Sequence, residues 1–310
     1  MEVISYFSYK GGAGRSSIAC NVMPFLAEKL DPTPEQPIIV VDMDIDSAGL
    51  TFLMQKETEG AVKQIEYSTQ EFIQTSLKGS FIGSGIGPDS NRTADKHPFF
   101  QKLNPVGTEF GLGEGERNDR KILLLEAKPG AEFESYNGGG KLLENPLKKL
   151  YKLCMSYGCK ALIFDTPAGD QLTAKWSMGV SDTVVCCMRI TFQFRRGTVN
   201  YLNRLGNEND GKRCIIVPNA VPQESIKVNG ITFDSDYIRK SIIKDMSGDA
   251  LKSDEPDLRM LEDGFLGIPE VKRFKFLEGI LYKFNEHQDD EKKALESYKK
   301  LSDVILKAKQ

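Results

Sequence analysis

Six short apolar runs punctuate the chain, at residues 3–7, 38–41, 122–125, 161–164, 184–188 and 214–217. None alternates polar with apolar positions, which is the pattern of strands buried on both faces in a parallel sheet covered by helices. Each run leads into a turn or a helical stretch, so the pattern predicts an α/β fold with a mostly parallel sheet flanked by helices. After the first run, Ile18, Ala19, Val22, Phe25, Leu26 and Leu30 recur at helical spacing. Pro24 interrupts that stretch and predicts a kink. Residues 290–309 form a second helical pattern, with Ala294, Leu295, Tyr298, Leu301, Ile305 and Ala308 on one side and lysines opposite. A terminal helix of this kind is expected to dock on its own domain rather than lie on a membrane. Residues 79–120 are rich in Gly, Pro, Asn and charge, with Phe99-Phe100 as the main apolar feature. They read as an irregular insertion or one that hides a short helix. Residues 222–256 read as a second irregular stretch with one helix around 236–246.

At 310 residues the chain can bury a substantial core, and a single domain spanning 1–310 is the expectation. Apolar residues make up 40% and charged residues 27%, a globular composition that excludes disordered and membrane classes. No apolar run reaches the roughly 20 residues of a membrane helix. The first residues read as a strand with no basic leader before them, so a cytoplasmic location is expected. The six cysteines, Cys20, Cys154, Cys159, Cys186, Cys187 and Cys214, show no CxxC spacing and read as reduced core thiols. Two histidines far apart, His97 and His287, leave little for a zinc site or a histidine-based triad. The net charge of −3 gives no mean field that attracts nucleic acid, so any DNA contact must be local and weak.

The chemistry sits where strands end. The first run passes into Ser8-Tyr9-Lys10-Gly11-Gly12-Ala13-Gly14-Arg15-Ser16-Ser17 and directly into the predicted helix. Strand, glycine-rich loop and helix N-terminus together make an anion site, because backbone N–H groups can wrap a phosphate there. Ser16 follows the cation Arg15, at the place where a P-loop needs a Mg²⁺ ligand. The second run ends in Asp42-Met43-Asp44-Ile45-Asp46, and the fourth in Asp165-Thr166-Pro167-Ala168-Gly169. Carboxylates at the C-terminal ends of parallel strands face the crevice where α/β proteins bind ligands. There they can hold the water shell of Mg²⁺ or orient an attacking water. Asp46 reads as a turn residue.

Lys10 to Ser17 resembles the deviant Walker A motif of the ParA/MinD class of P-loop ATPases, KGGxGK followed by two hydroxyl residues. The segment at Asp42 and Asp44 is similar to the switch I of that class, and Asp165 to Gly169 resembles its DTPAG switch II. The resemblance implies ATP and Mg²⁺ as cofactors, with Gly11, Gly12, Ala13, Gly14, Arg15, Ser16 and Ser17 cradling the phosphates. It implies that Lys10 serves a partner subunit's nucleotide, Asp44 positions the hydrolytic water, Ser16 ligates Mg²⁺, and Asp42 and Asp165 lie about its shell. Asn219, after the sixth run, resembles the residue that contacts adenine, and Gly267-Ile268-Pro269-Glu270 the loop that flanks the base. Arg15 departs from the usual lysine: it keeps the charge in a larger, planar form.

The implied function is a slowly hydrolysing, nucleotide-dependent homodimer read by a protein regulator or adaptor. Two rivals stand beside it. Arg15 motivates a non-hydrolysing nucleotide-binding scaffold, and the shared fold motivates a metabolic P-loop ligase related to dethiobiotin synthetase. Arg195-Arg196 and Lys272-Arg273 with Lys275 are the basic clusters available to DNA; solvated surface charge is the competing account. A membrane partner is not expected.

Overall fold

The runs IIVVD and ALIFD form strands β2 (Ile38–Asp42) and β5 (Ala161–Asp165), with every residue buried. In this computed structural model they pair in parallel, Ile38 opposite Ala161 through to Asp42 opposite Asp165. The remaining runs form β1 (Glu2–Phe7), β4 (Ile122–Leu125), β6 (Thr183–Arg189) and β7 (Arg213–Asn219). With a two-residue strand β3 (Asn104–Pro105) they make one seven-stranded sheet, in the order β3-β4-β2-β5-β1-β6-β7. β2 with β4 and β6 with β7 also pair in parallel, whereas β3 runs antiparallel to β4 at the edge. All six strand runs are therefore where the apolar pattern put them. Described in the structure are residues 1–54, 65, 67–80, 93–112, 119–130, 145–205, 212–247, 256–262, 265–275, 279–284 and 286–306.

The chain divides into two compact units, the first comprising 1–5, 27–167 and 171–180, and the second 6–26, 168–170 and 181–310. In the first, helices α2 (Gly49–Met54), α3 (Thr69–Leu77), α4 (Pro98–Gln101), α5 (Leu147–Ser156) and α6 (Leu172–Val180) accompany β2 to β5. Ser68 starts α3 with a reciprocal capping box to Glu71, which satisfies two helix-end donors at once. The core gathers Ile39, Val41, Phe72, Leu123, Leu150, Leu162, Phe164 and Trp176.

Within the expected insertion, residues 93–112 are built rather than irregular. The His97 ring nitrogen Nδ1 accepts from Phe99 N (3.2 Å) and caps α4, with Pro98 at the first helical position. Phe99 and Phe100 enter the core and pack edge-on against each other, and Phe100 also meets Tyr157. This is the short helix that the sequence left open, and it has a physical reason: two adjacent aromatics amid polar residues have no period to reveal them, yet their burial outweighs the local turn chemistry. Residues 81–92 and 113–118 of that stretch lie outside the described residues.

In the second unit, β6 and β7 are joined by α7 (Phe192–Leu205), a hairpin β8 (Ile226–Val228) with β9 (Ile231–Phe233), α8 (Ser235–Met246) and the C-terminal α9 (Asp289–Leu306). The stretch expected to be irregular around α8 thus contains the hairpin as well, turned by Asn229 and Gly230 at positive φ. Residues 248–255 lie outside the described residues. α9 docks as expected, burying Ala294, Tyr298, Leu301 and Ile305; residues 307–310, Ala308 among them, are not described. Helix α1 (Arg15–Leu30) continues through Pro24, so the proline does not end it.

An ionic knot ties β7 to the C-terminal helix. Arg213 Nε donates to Asp257 (2.9 Å), its terminal nitrogens reach the carbonyls of Val304 and Ile305, and Arg259 binds the same carboxylate (2.7 Å). Burial alone would raise the Asp257 pKa, but the hydrogen bonds from Arg259 and Arg213 outweigh it and hold the carboxyl below its usual range. A depressed pKa adds stability that is fully present above the unfolded-state value near ~4 and is lost as pH falls through the folded one. Asp257→Asn should therefore cost about 2 kcal/mol at pH 7, as for a hydrogen bond to a charged group. Urea unfolding should show the gap to wild type narrowing as pH falls below about 4; a gap that stays constant from about pH 7 down to acid unfolding would contradict this account.

Candidate functional site

β1 delivers its last residue, Phe7, into the glycine-rich turn. Ser8 Oγ donates to Lys10 O (2.8 Å) and Ser8 O accepts from Gly169 N (2.9 Å), so the start of the loop is held to the glycine of the DTPAG segment. Gly12 and Gly14 take φ of 76° and 83°, which side chains resist, and α1 begins immediately afterwards with Ile18 N donating to Gly14 O. The loop therefore bends sharply into a helix N-terminus, the arrangement that presents backbone N–H groups to an anion. Arg15 is buried at 8% exposure, while Ser16 and Ser17 are half-buried at the start of the helix.

Long-range contacts fix this loop. Asn219 Nδ2 donates to Ala13 O (2.8 Å) from the end of β7, and Arg189 Nε donates to Gly12 O (3.0 Å) from the end of β6. From the start of α7, Gln193 Oε1 accepts from Lys10 Nζ (3.1 Å). Gly197 of the same helix leaves room for the Tyr9 ring, which a Cβ there would meet at 2.0 Å. Beside the loop lies a cavity of about 220 Å³ lined by Gly14, Ser17, Asn219, Pro269, Val271 and Phe274. The structure thus brings together the expected loop, Asn219 and the Pro269 segment. Arg189, Gln193 and Phe274 were not read from the sequence. Only the position of Arg189 at a strand end could have pointed to it.

The acidic residues belong to the first unit. Asp42 and Asp165 are register partners at the ends of β2 and β5, both fully buried. Burial and the neighbouring Asp165 charge push the Asp42 carboxyl up to about 8, against the lowering effect of its bonds from Thr51. Those bonds are Thr51 N (2.9 Å) and Thr51 Oγ1 (2.8 Å) to Oδ2, while Asp44 N donates to Oδ1 (3.1 Å). Asp42 therefore anchors the loop that carries Asp44, which is half-buried, while Asp46 is an exposed turn residue. Two buried carboxylates abreast repel each other, a situation that a divalent cation and its water shell relieve. The pair fits Mg²⁺ on that ground. Among the described residues no group of three or more His, Cys, Asp or Glu lies together as a metal cage.

The basic clusters are largely spent within the chain. Arg195 pairs with Asp245 (2.6 Å) and donates to Ile190 O, Arg273 pairs with Glu291 (2.7 Å), and Lys275 with Glu270 (3.0 Å). Among the described residues no helix is long and apolar enough to cross a membrane.

No protein-family profile matches the sequence, and no curated protein does. Solved structures do match. MinD from Pyrococcus horikoshii, determined with Mg-ADP, is 16% identical, with 99% of this chain and 96% of that one covered and a TM-score of 0.57. A ParA-family ATPase from Chlorobium tepidum is 16% identical over 97% and 98% of the two chains, with a TM-score of 0.57. Cobyrinic acid a,c-diamide synthase from Mycobacterium smegmatis, solved with an ATP analogue and magnesium, is 14% identical over 99% and 94%, with a TM-score of 0.59. The fold is that of the MinD and ParA P-loop ATPases, as the motif resemblance implied.

Proposed function

We propose that this chain binds Mg-ATP at Lys10 to Ser17 and hydrolyses it slowly as a dimerising switch of the ParA/MinD type, read by a protein regulator. The observation that carries the reading is the glycine loop entering α1, locked by Asn219 to a cavity of about 220 Å³. In this reading the loop N–H groups from Gly11 to Ser17 and the Arg15 cation hold the phosphates, and Asn219 and the Pro269 loop hold the base. Ser16 would ligate Mg²⁺, with Asp42 and Asp165 about its shell. Bound Mg²⁺ neutralises charge on the phosphate oxygens. Asp44 orients the attacking water from the loop that Asp42 anchors. Lys10 is exposed and, among the described residues, its ammonium bonds to Gln193, a partner it can exchange for the phosphates of a second subunit, where its charge would stabilise the transition state. A cytoplasmic location accords with this reading.

Isothermal titration is expected to show Mg-ATP binding that Ser16→Ala weakens at least about tenfold. Light scattering on Asp44→Ala with Mg-ATP should show a dimer that an added Lys10→Ala returns to monomer. Undiminished affinity in Ser16→Ala would put the metal elsewhere. A monomer in Asp44→Ala together with absent phosphate release from wild type would favour the non-hydrolysing scaffold that Arg15 suggests. The likeness to the diamide synthase supports a ligase as the second reading; ATP turnover that appears only with an added carboxylic acid and an amine donor would favour it.

A further inference from the structure

We infer that Arg189 is a phosphate ligand supplied in cis, a cation outside the glycine loop that clamps the nucleotide from the end of β6. The inference rests on nucleotide binding at Lys10 to Ser17 and adds a residue which the motif resemblance does not include.

Four cationic side chains belong to this site, and the structure treats them differently. Lys275, which lines the cavity, is paired with Glu270 (3.0 Å). Arg15 is buried in the first turn of α1. Lys10 is turned onto Gln193 of its own chain. Arg189 spends only Nε, on Gly12 O at 3.0 Å, and among the described residues its two terminal nitrogens make no hydrogen bond or ion pair. The same residue lines the cavity together with Gly14, Ser17 and Asn219. A guanidinium pinned at Nε has its plane set in advance, so its remaining N–H donors are held for a ligand with little further loss of freedom. Such a fork matches phosphate oxygens two at a time.

The pinned partner adds to the argument. A phosphate loop offers its N–H groups to the anion, and a carbonyl such as Gly12 O sets a negative dipole end beside the same anion. Donation from Arg189 satisfies that carbonyl and places positive charge against the loop. The arrangement also gives the chain a phosphate-binding arginine that does not depend on a second subunit, unlike the role proposed for Lys10.

The test is titration of wild type, Arg189→Gln, Arg189→Lys and Ser16→Ala with Mg-ATP and Mg-ADP, and adenosine by competition against a fluorescent nucleotide. Arg189→Gln should bind both Mg-nucleotides at least tenfold more weakly and adenosine as wild type does, with a shallower dependence of affinity on salt. Arg189→Lys should recover part of the loss, since it restores charge but not the fork. Thermal melting without ligand checks the fold, and Arg189→Lys carries the test if the glutamine variant melts early. Wild-type affinity for Mg-ATP in Arg189→Gln, with Ser16→Ala weakened, would overturn the inference and leave the nucleotide site standing. A loss for adenosine equal to that for Mg-ATP would overturn it too, by placing Arg189 on the base or ribose. A wild-type chain that binds no Mg-nucleotide would overturn the proposed function and this inference together.

Discussion

Gly14→Ala is expected to lower Mg-ATP affinity about a hundredfold, or about 2.7 kcal/mol. Gly14 has φ of 83°, where an L side chain is strained by about 1 kcal/mol or more. The added Cβ would also stand 2.1 Å from Asn219 Nδ2 and 3.4 Å from its Cγ. Asn219 must swing away, which breaks its 2.8 Å bond to Ala13 O and displaces a wall of the cavity that Gly14 itself lines. Strain and displacement fall on the same loop, so phosphate and base contacts suffer together. Gly11 provides the control: a Cβ there meets nothing within 4 Å, and its φ is not in the left-handed region. Isothermal titration should find Gly11→Ala within about threefold of wild type, an effect well under 1 kcal/mol. Gly14→Ala binding as tightly as Gly11→Ala would refute the interlock between loop and Asn219.

The second large effect falls on stability. Gly267→Ala should destabilise the fold by about 3 kcal/mol or more, from left-handed backbone strain plus overpacking. Its φ is 85°, and a Cβ would meet Pro218 O at 2.2 Å and Pro218 C at 2.9 Å. These are backbone atoms of β7, which cannot rotate aside as a side chain can. The approach is close because the loop is laced to the strand: Ile268 N donates to Pro218 O (2.8 Å), Val221 N to Ile268 O (3.0 Å) and Gly267 N to Met260 O (2.8 Å). Relieving the clash would pull these bonds apart and shift Pro269, which lines the cavity. Urea unfolding is the direct measurement, with a fall in melting temperature of roughly 5 °C as its thermal counterpart. A change under about 0.5 kcal/mol would mean that the loop is not held against Pro218 as described.

What the sequence determined by itself was local. Six apolar runs announced six strands because a strand covered on both faces leaves nearly every position apolar, a signal contained in four or five consecutive residues. The glycine loop was legible for the same reason: Gly12, Gly14 and the helix start lie within one short stretch, and positive φ favours glycine whatever surrounds it. The carboxylates at Asp42 and Asp165 were legible because each ends its own run. What only the tertiary structure decided depends on residues far apart in the chain. Asn219 reaches Ala13 across 206 positions and Arg189 reaches Gly12 across 177, and neither residue type demands such a partner. The burial of Phe99 and Phe100 in a polar stretch, and the pairing of Arg195, Arg273 and Lys275 within the chain, were settled in the same way. A side chain's chemistry says what it can bind, but which of several permitted partners it takes is decided by the geometry of elements that fold onto one another.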